Sequence, residues 1–374
     1  MNQKKTIVLT ANTSWYLYNF RRGTIIQLIK LGYHVICISP VDDYSDRFSS
    51  LGAEFYELEI DGKSISFKKE FLTFFAIFFL LKKIKPFFVY NFTIKLNVYS
   101  GVACRIINLP YSNNVSGLGT AFMHDGLRYK LAQYLYGVSN KAALGVFFQN
   151  DDDMQLAISK GLANRHKSTL LPGSGVNVDD FSYQRKAVPS NQGLCFLMIA
   201  RVIADKGVRE FIGAANYIKP KYPNCRFVLV GDCNSNNKTS FSKETIDEWR
   251  NQGVVEIVGH QDDIKNWIYT SDVVVLPSYR EGMPRTILEA ASCGRPAIVS
   301  DVPGCRQAVV PNETGWLCES HSVESLASCI EYCLHLSEED IIKFGHNARV
   351  RAETKFSEEI VINKTIEVLS NLRE

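Results

Sequence analysis

The sequence predicts an α/β protein of two domains, each a parallel β-sheet with helices on both faces. Short apolar runs alternate with longer helical patterns along most of the chain, as expected for parallel strands joined by helices. Its 374 residues, 46% hydrophobic and 22% charged, supply enough apolar material for two cores. A polar, proline-containing stretch, residues 181–193, separates two such series and is interpreted as the interdomain linker.

The first series predicts an N-terminal domain over residues 1–180. The opening MNQKKTIVLT runs straight into a strand and lacks the pattern of a signal peptide. The predicted strands are 6–10, 34–39, 55–58, 87–91, 111–115 and 144–148, and the predicted helices are 20–31, 66–84, 97–107 and 151–160.

The second series predicts a C-terminal domain over residues 193–355, followed by a last helix, 357–372. The predicted strands are 194–200, 226–230, 254–258, 273–276 and 297–300, and the predicted helices are 207–218, 284–291, 323–334 and 338–353. Ligands of such sheets bind beyond the carboxyl ends of the strands, so functional residues are expected in the loops there.

The charge is unevenly spread, although the net charge is only +3. Residues 1–180 carry 20 Lys and Arg against 14 Asp and Glu, which suggests an anionic surface or substrate near the first half. No basic stripe with interleaved aromatic residues appears, which disfavours nucleic acid as a partner. The ten cysteines show no C-x-x-C spacing and are interpreted as buried free thiols of a reducing cytosol.

The most apolar run, Phe71–Leu81, is too short to span a bilayer and is flanked by lysines. The favoured interpretation is a buried helix of the α/β layer. The alternative is a helix that dips its aromatic face into a membrane interface with the lysines at the headgroups. Both hold if the helix is only partly covered.

The stretch from Asp272 to Cys305 carries the most informative polar pattern. An apolar strand and a polar turn precede a helix for which Pro284 is a suitable first residue, because a helix start does not use the N–H that proline lacks. Glu281 lies in the turn and Glu289 in the helix. A strand, a tight turn and a helix N-terminus form a ready site for an anion, with the two acids able to reach hydroxyls on either side of it.

The plainer interpretation is that these acids are structural. Glu289 can pair with Arg285 one turn earlier, an exposed contact worth roughly 0.2–0.5 kcal/mol. Glu281 can be an ordinary turn residue.

Two cations bracket the turn that follows the strand at 194–200. Arg201 and Lys206 suit a clamp on a diphosphate, although either alone can be a solvated surface charge. Gly231 and the tripeptide Val258-Gly259-His260 end other strands, where backbone groups can contact the edge of a nucleotide base.

Other candidate motifs are weaker. Neither Gly117-Leu118-Gly119 nor Gly173-Ser174-Gly175 completes G-x-G-x-x-G, so a nicotinamide dehydrogenase is poorly supported. The run Asp151–Asp153 opens a predicted helix, where carboxylates favour the helix start, and is interpreted as capping rather than a metal site. His124 follows a Gly-rich turn and is either structural or a ligand for a phosphate or a sugar hydroxyl.

These motifs resemble the retaining glycosyltransferase family 4, of GT-B fold. The resemblance rests on ARVIADKG at 200–207 paired with SYREGMPRTILEAASCGRPAIVSDVPG at 278–304, and it is strongest from 194 to 318. In the first half, residues 91–97, 115–119 and 171–176 are similar to enzymes that extend polyprenyl-diphosphate-linked sugars, closest to the PglA-like N-acetylgalactosaminyltransferases. The resemblance implies two Rossmann-like domains facing across a cleft, with residues 356–374 packing back on the first.

The resemblance also implies roles for matching positions in the second domain. Arg201 and Lys206 hold the nucleotide diphosphate and stabilise its developing charge. Glu281 contacts the hydroxyls of the donor sugar, and Glu289 binds the ribose. No metal is expected, because the Arg/Lys pair and a helix dipole replace it. Further donor-binding positions are Gly282, Met283, Pro284, Arg285, Gly231, Val258, Gly259 and His260.

Positions in the first domain are expected on the acceptor side. His124 falls near a cleft histidine of many family members and is included with the catalytic residues. The family's Gly-rich loop after the first strand is replaced by residues 11–16, whose aromatic residues can shape the acceptor side. The acceptor-binding positions are Ser14, Tyr16, Lys95, Asn97, Gly117 and Gly119.

The expected activity is transfer of a hexose or N-acetylhexosamine, best matched by GalNAc in α-1,3 linkage, from a UDP-sugar with retention of configuration. The acceptor is an undecaprenyl-diphosphate-linked saccharide of bacterial O-antigen, capsule or glycoprotein glycan assembly. The protein is expected in the cytoplasm, peripheral on the inner face of the cytoplasmic membrane. The alternatives are a nucleotide-sugar epimerase of the same architecture and a non-catalytic nucleotide-sugar-binding, membrane-associated protein.

Overall fold

The computed structural model describes residues 4–60, 67–118, 127–184, 193–233, 237 and 239–372. Contacts divide the chain into two compact units. Unit 1 comprises Met1–Ser174 with Glu358–Glu374, and unit 2 comprises Gly175–Ser357.

The boundary between the units precedes the stretch interpreted as a linker. Phe181, the first residue of that stretch, is buried in the core of unit 2, and its carbonyl accepts hydrogen bonds from Ser292 Oγ and Arg349 Nη1. The linker interpretation is therefore corrected for residues 181–184, while residues 185–192 lie outside the described residues. The polar composition of the stretch gave no indication that Phe181 and Tyr183 pack against unit 2.

Unit 1 is built on a parallel sheet with, among the described residues, seven strands in the order β3-β2-β1-β4-β5-β6-β7. Val8 of β1 pairs with Ile36 of β2 on one side and with Val89 of β4 on the other, so the strand order reverses between β1 and β4. The strands are β1 Thr6–Thr10, β2 His34–Ser39, β3 Glu54–Glu57, β4 Phe88–Phe92, β5 Tyr111–Val115, β6 Gly145–Phe148 and β7 Ser168–Leu170.

Helices cover both faces of this sheet. They are α1 Ser14–Lys30, α2 Arg47–Ser50, α3 Phe67–Ile84, α4 Ile94–Ile106, α5 Leu127–Ala142, α6 Asp151–Ser159 and α13 Glu358–Glu367, with 3-10 turns at Arg165–Lys167 and Ser370–Leu372. Helix α1 begins six residues before its predicted start, because Thr13 caps it by accepting from the Tyr16 N–H at 3.1 Å. Helix α6 is capped by Asn150, with Asp151–Asp153 in its first turn. Helix α13 packs on α1, where Gly23 N donates to Glu358 Oε1 at 3.2 Å.

Unit 2 is built on a second parallel sheet, six strands wide within its described residues, in the order β10-β9-β8-β11-β12-β13. The order reverses between β8 and β11, which pair through Val273 and Phe196. The strands are β8 Cys195–Ile199, β9 Arg226–Val230, β10 Glu256–Gly259, β11 Val273–Leu276, β12 Ala297–Ser300 and β13 Gly315–Cys318.

The helices of unit 2 are α7 Val208–Ile218, α8 Lys243–Gln252, α9 Ile264–Thr270, α10 Arg285–Ser292, α11 Val323–Leu334 and α12 Glu338–Lys355, with a 3-10 turn at Ala204–Lys206. The start of α10 differs from the prediction, because Pro284 is the N-cap, with ψ 106°, and the first helical residue is Arg285. All ten cysteines of the chain are free, and most are buried.

Helix α3 is covered on one face only. Ile77 and Leu81 are fully buried in the core of unit 1, whereas Phe71, Leu72 and Phe79 are each about 60% exposed. Among the described residues, no helix is long and apolar enough to cross a bilayer.

Candidate functional site

The two turns that carry the predicted donor residues meet at the point in unit 2 where the strand order reverses. The turn after β8 and the turn after β11 are joined by a hydrogen bond from Tyr279 N to Asp205 O at 2.9 Å. Gly207 has φ +73°, and a Cβ there would lie 2.0 Å from Pro277 O. Only glycine permits this approach. Ligands of open α/β sheets bind at such a reversal point.

This approach brings Lys206 and Glu281 together, 75 positions apart in the chain. Lys206 Nζ and Glu281 Oε1 form an ion pair, and Ser278 Oγ donates to the same oxygen at 2.6 Å. The side chains of Lys206 and Glu281 are only 20% and 14% exposed, so water screens the pair less than it would a surface pair.

The backbone beneath Glu281 is also fixed. Its N–H donates to Pro303 O at 3.2 Å, and Gly304, at φ +83°, lies so close that a Cβ would come within 2.2 Å of Glu281 O. A carboxylate, an ammonium and a hydroxyl are therefore held in one place, an arrangement that can bind a sugar hydroxyl and a phosphate side by side.

A second polar cluster supports the same turn. Tyr279 OH donates to both carboxylate oxygens of Glu210, at 2.9 and 3.1 Å, and its ring stacks on His321 with 3.5 Å between centroids. Burial, followed by the hydrogen bond to Glu210, raises the pKa of Tyr279 to about 12. Glu210 and His321 were not predicted from the sequence, because no local pattern links them to the turn.

Glu289 lies in α10 and is buried, with Arg285 Nε donating to its Oε1 at 2.8 Å. The i,i+4 pair of the plainer interpretation thus exists, but in a buried setting. Burial raises the pKa of Glu289, and the charge of Arg285 opposes the rise. Gly282 and Met283 are half-buried, Met283 packs against the core of unit 2, and Pro284 is buried.

The remaining donor-side residues lie along the carboxyl edge of the same sheet. Arg201 is exposed directly after β8. Gly231 follows β9, where a Cβ would lie 1.7 Å from Ala200 O, and its N–H donates to Gly259 O at 2.9 Å. Val258 and Gly259 are half-buried in β10, and His260 is an exposed residue whose Nε2 lies 3.3 Å from Asp262 Oδ1. This edge can accommodate a nucleotide beside the Lys206–Glu281 pair.

The predicted acceptor residues of unit 1 are placed less uniformly. Ser14 is fully buried, and its Oγ lies 2.8 Å from both Ser39 Oγ and Ser45 Oγ, which is an interior position. Asn97 is fully buried as well, with Nδ2 donating to Asn114 O at 2.8 Å.

The other acceptor residues lie nearer the surface. Tyr16 is half-buried, and Lys95 pairs with Glu70 at 2.7 Å. Gly117 is half-buried with φ +141°. Gly119 and His124 lie outside the described residues.

One backbone outlier marks the reversal point of unit 1. Thr93 has φ +67° and ψ 153°, a conformation costly for a β-branched residue. Thr93 Oγ1 donates to Asn12 Oδ1 at 2.7 Å, which joins the loop after β4 to the loop after β1. Such strain clusters at binding and catalytic sites.

Two family models match the chain. The model described as "Glycosyl transferase 4-like" matches residues 6–150, and the model described as "Glycosyl transferases group 1" matches residues 180–351. Together they cover both reversal points and every strand described here except β7, Ser168–Leu170.

Curated relatives match over most of the chain. An N,N'-diacetylbacillosaminyl-diphospho-undecaprenol alpha-1,3-N-acetylgalactosaminyltransferase of Campylobacter jejuni is 28% identical over 333 residues, which cover 85% of this chain and 86% of the relative. A UDP-Gal:alpha-D-GlcNAc-diphosphoundecaprenol alpha-1,3-galactosyltransferase of Escherichia coli is 27% identical over 307 residues, covering 78% and 76%.

The fold has solved counterparts. A glycosyltransferase structure from Rickettsia africae superimposes with a TM-score of 0.78 at 21% identity, covering 100% of this chain and 99% of that one. This similarity assigns the GT-B fold.

Proposed function

The chain belongs to the glycosyltransferase family 4 of GT-B fold, and from this premise we propose that it transfers a hexose or N-acetylhexosamine from a UDP-sugar to a polyprenyl-diphosphate-linked sugar. The observation that carries the proposal is the Lys206–Glu281 pair, fixed where the strand order of unit 2 reverses and within the region matched by the group 1 model.

In the proposed reaction Lys206 binds the phosphate and Glu281 binds the sugar. Lys206 has three N–H donors, so it can keep Glu281 while binding a phosphate oxygen. With Arg201, it neutralises the charge that builds on the diphosphate as the glycosidic bond breaks, in the role that a metal ion plays in other enzymes. Glu281 accepts hydrogen bonds from the donor sugar. As the bond between the anomeric carbon and the UDP phosphate oxygen breaks, an acceptor hydroxyl oxygen bonds to that carbon from the same face, so the configuration is retained, and the proton of the hydroxyl passes to the departing UDP.

Glu289 is proposed to hold the ribose. A buried carboxylate is a strong acceptor, and a hydrogen bond to a charged group contributes about 1.5–3 kcal/mol. Arg285 holds this carboxylate in place from one turn before.

The names of two relatives support the proposed sugar and linkage. The Campylobacter relative is named for α-1,3 transfer of N-acetylgalactosamine and the Escherichia relative for α-1,3 transfer of galactose, both to undecaprenyl-diphosphate-linked sugars. We favour N-acetylgalactosamine in α-1,3 linkage, in the assembly of an O-antigen, a capsule or a glycoprotein glycan.

The acceptor lipid is proposed to be met at the membrane surface. Phe71, Leu72 and Phe79 form an exposed apolar face on α3, and exposed Lys69, Lys82 and Lys83 lie on the same helix. This pairing suits an interfacial helix on an anionic leaflet and supports the proposal that the protein is peripheral on the inner face of the cytoplasmic membrane.

A donor screen tests the proposal. The purified protein is incubated with a panel of UDP-sugars and a polyprenyl-diphosphate-linked sugar, and the lipid product is analysed by mass. We expect one UDP-sugar to extend the acceptor by one residue. Conversion of the UDP-sugar without an acceptor would identify an epimerase, and donor binding without any product would identify a non-catalytic protein.

A further inference from the structure

Arg21 in α1 is a buried arginine with an incomplete set of partners. Arg21 is fully buried, with 0% of its surface exposed. Only Nη2 forms hydrogen bonds, to Tyr16 OH at 3.1 Å, Asn114 Oδ1 at 3.4 Å and Ser174 Oγ at 3.3 Å. Nε and Nη1 are buried without a hydrogen-bond partner, and no ion pair of the described residues includes Arg21. Every partner of this charge is therefore neutral.

Arg295 of unit 2 is a structural buried arginine with hydrogen-bond acceptors for every side-chain nitrogen. All three nitrogens of Arg295 donate to backbone carbonyl oxygens, at distances of 2.8–3.2 Å. The acceptors are the carbonyls of Ile268, Ser271, Gln184, Cys293, Gly294 and Tyr269. Carbonyl oxygens thus surround Arg295, whereas Arg21 keeps two nitrogens unused.

The described groups around Arg21 include an aromatic ring and a hydrogen-bond donor, but no compensating negative charge. Its guanidinium lies 4.6 Å from the centroid of the Phe92 ring. Asn114 directs Oδ1 to Arg21, and its Nδ2 is buried without a partner. Taking a cation out of water costs several kcal/mol unless an anion compensates it. The cluster therefore lacks an acceptor that carries negative charge.

The cluster lies at the edge of the sheet where ligands bind. Phe92 ends β4, Asn114 lies next to the last residue of β5, and Ser174 follows β7. Helix α4 begins beside Phe92 with no side-chain cap, which adds the positive end of a 13-residue helix.

We propose that Arg21 is the centre of an oxyanion site in unit 1 that binds the diphosphate of the acceptor lipid. This inference rests on the proposed function for the identity of the lipid. Tyr16 and Ser174 are the half-buried partners, so the phosphate reaches Arg21 by displacing one of their hydroxyls. The donor diphosphate has its own cations in Arg201 and Lys206 of unit 2, which leaves the acceptor as the anion for unit 1.

The variant Asn114→Asp tests the site, because its side chain supplies the negative charge that the ligand would otherwise provide. A carboxylate at the Asn114 position would lie within reach of Arg21 Nη2 and compete with phosphate. We expect the melting temperature to hold or rise, while the KM for the acceptor rises roughly 10–100-fold and the KM for the UDP-sugar stays within about twofold. An unchanged acceptor KM, or a rise in donor KM instead, would overturn the proposal.

Removal of the charge gives a second measurement. Arg21→Met should raise the acceptor KM similarly, and Arg21→Lys should recover part of the loss. The matched control is Arg295→Met, which lowers stability but leaves the acceptor KM of the folded enzyme unchanged. If Arg21→Met retains the wild-type acceptor KM, the arginine is structural and the site does not exist.

Direct binding separates this proposal from the proposed function. Wild-type protein is first saturated with UDP, and its melting temperature is then followed as farnesyl diphosphate or inorganic pyrophosphate is added. We expect additional stabilisation in wild type that Asn114→Asp lacks, whether or not the protein transfers sugar. Equal stabilisation of both proteins, or of neither, would overturn the oxyanion site alone.

Discussion

Replacement of Lys206 by methionine is the sharpest test of the donor site. The change keeps most of the side-chain length and removes the ammonium that pairs with Glu281. Loss of one preorganised charge stabiliser typically costs 10²–10³-fold in kcat, or about 2.7–4 kcal/mol of transition-state stabilisation. We expect kcat to fall by that factor, with a smaller rise in donor KM, because the charge of Lys206 is needed most as the glycosidic bond breaks.

The effect on stability is expected to be smaller. The pair is less than one-third exposed, and Glu281 keeps its hydrogen bond from Ser278, so the loss of a charged hydrogen bond should lower the free energy of unfolding by about 1–3 kcal/mol. Arg226→Met is the control, because the Arg226–Glu256 pair of the same unit is 56% and 51% exposed and should contribute about 0–1 kcal/mol with no effect on kcat. Initial rates and urea unfolding of the purified variants supply both numbers. A Lys206→Met enzyme with wild-type kcat would refute the assigned role.

Three further predictions concern other parts of the chain. Glu289→Gln should raise the donor KM roughly 10–100-fold. Burial raises the pKa of Glu289, and binding of the ribose needs the ionised carboxylate. As the pH is lowered, wild-type kcat/KM for the donor should therefore begin to fall at a higher pH than an exposed carboxylate would give. The pH profile of Glu289→Gln should lack this decrease. Phe71→Asp combined with Phe79→Asp should weaken sedimentation with anionic vesicles without changing the melting temperature, and equal sedimentation would place α3 away from the membrane. Gly207→Ala should lower the free energy of unfolding by more than about 1 kcal/mol in urea titrations, because its Cβ meets Pro277 O at 2.0 Å and φ is positive, whereas wild-type stability would contradict this packing.

The sequence was sufficient to predict the parallel sheets, since most of the buried strands are continuous apolar runs. Six strands have the predicted limits: Thr6–Thr10, His34–Ser39, Tyr111–Val115, Arg226–Val230, Val273–Leu276 and Ala297–Ser300. Elements with weaker apolar patterns were missed. Helix α8 is one of them, since it is mostly exposed with Ile246 its buried residue.

Motif spacing predicted the polar residues of the donor turn but not the contacts between them. Lys206 and Glu281 were assigned to the phosphate and the sugar separately, and their ion pair arises from the approach of Gly207 to Pro277. The Glu210–Tyr279 contact spans 69 residues of sequence and has no local signal. The sequence likewise gave no sign that Arg21 is a functional candidate, because its burial depends on contacts with strands far along the chain.

The most direct test of the account compares two acceptors that carry the same sugar, one on a polyprenyl diphosphate and one on a neutral alkyl chain. Each is incubated with wild-type protein and the UDP-sugar identified by the donor screen, and elongation is followed by mass. We expect elongation of the diphosphate-linked sugar with a kcat/KM at least about tenfold above that of the neutral acceptor. Equal elongation of both acceptors, or of neither, would contradict it.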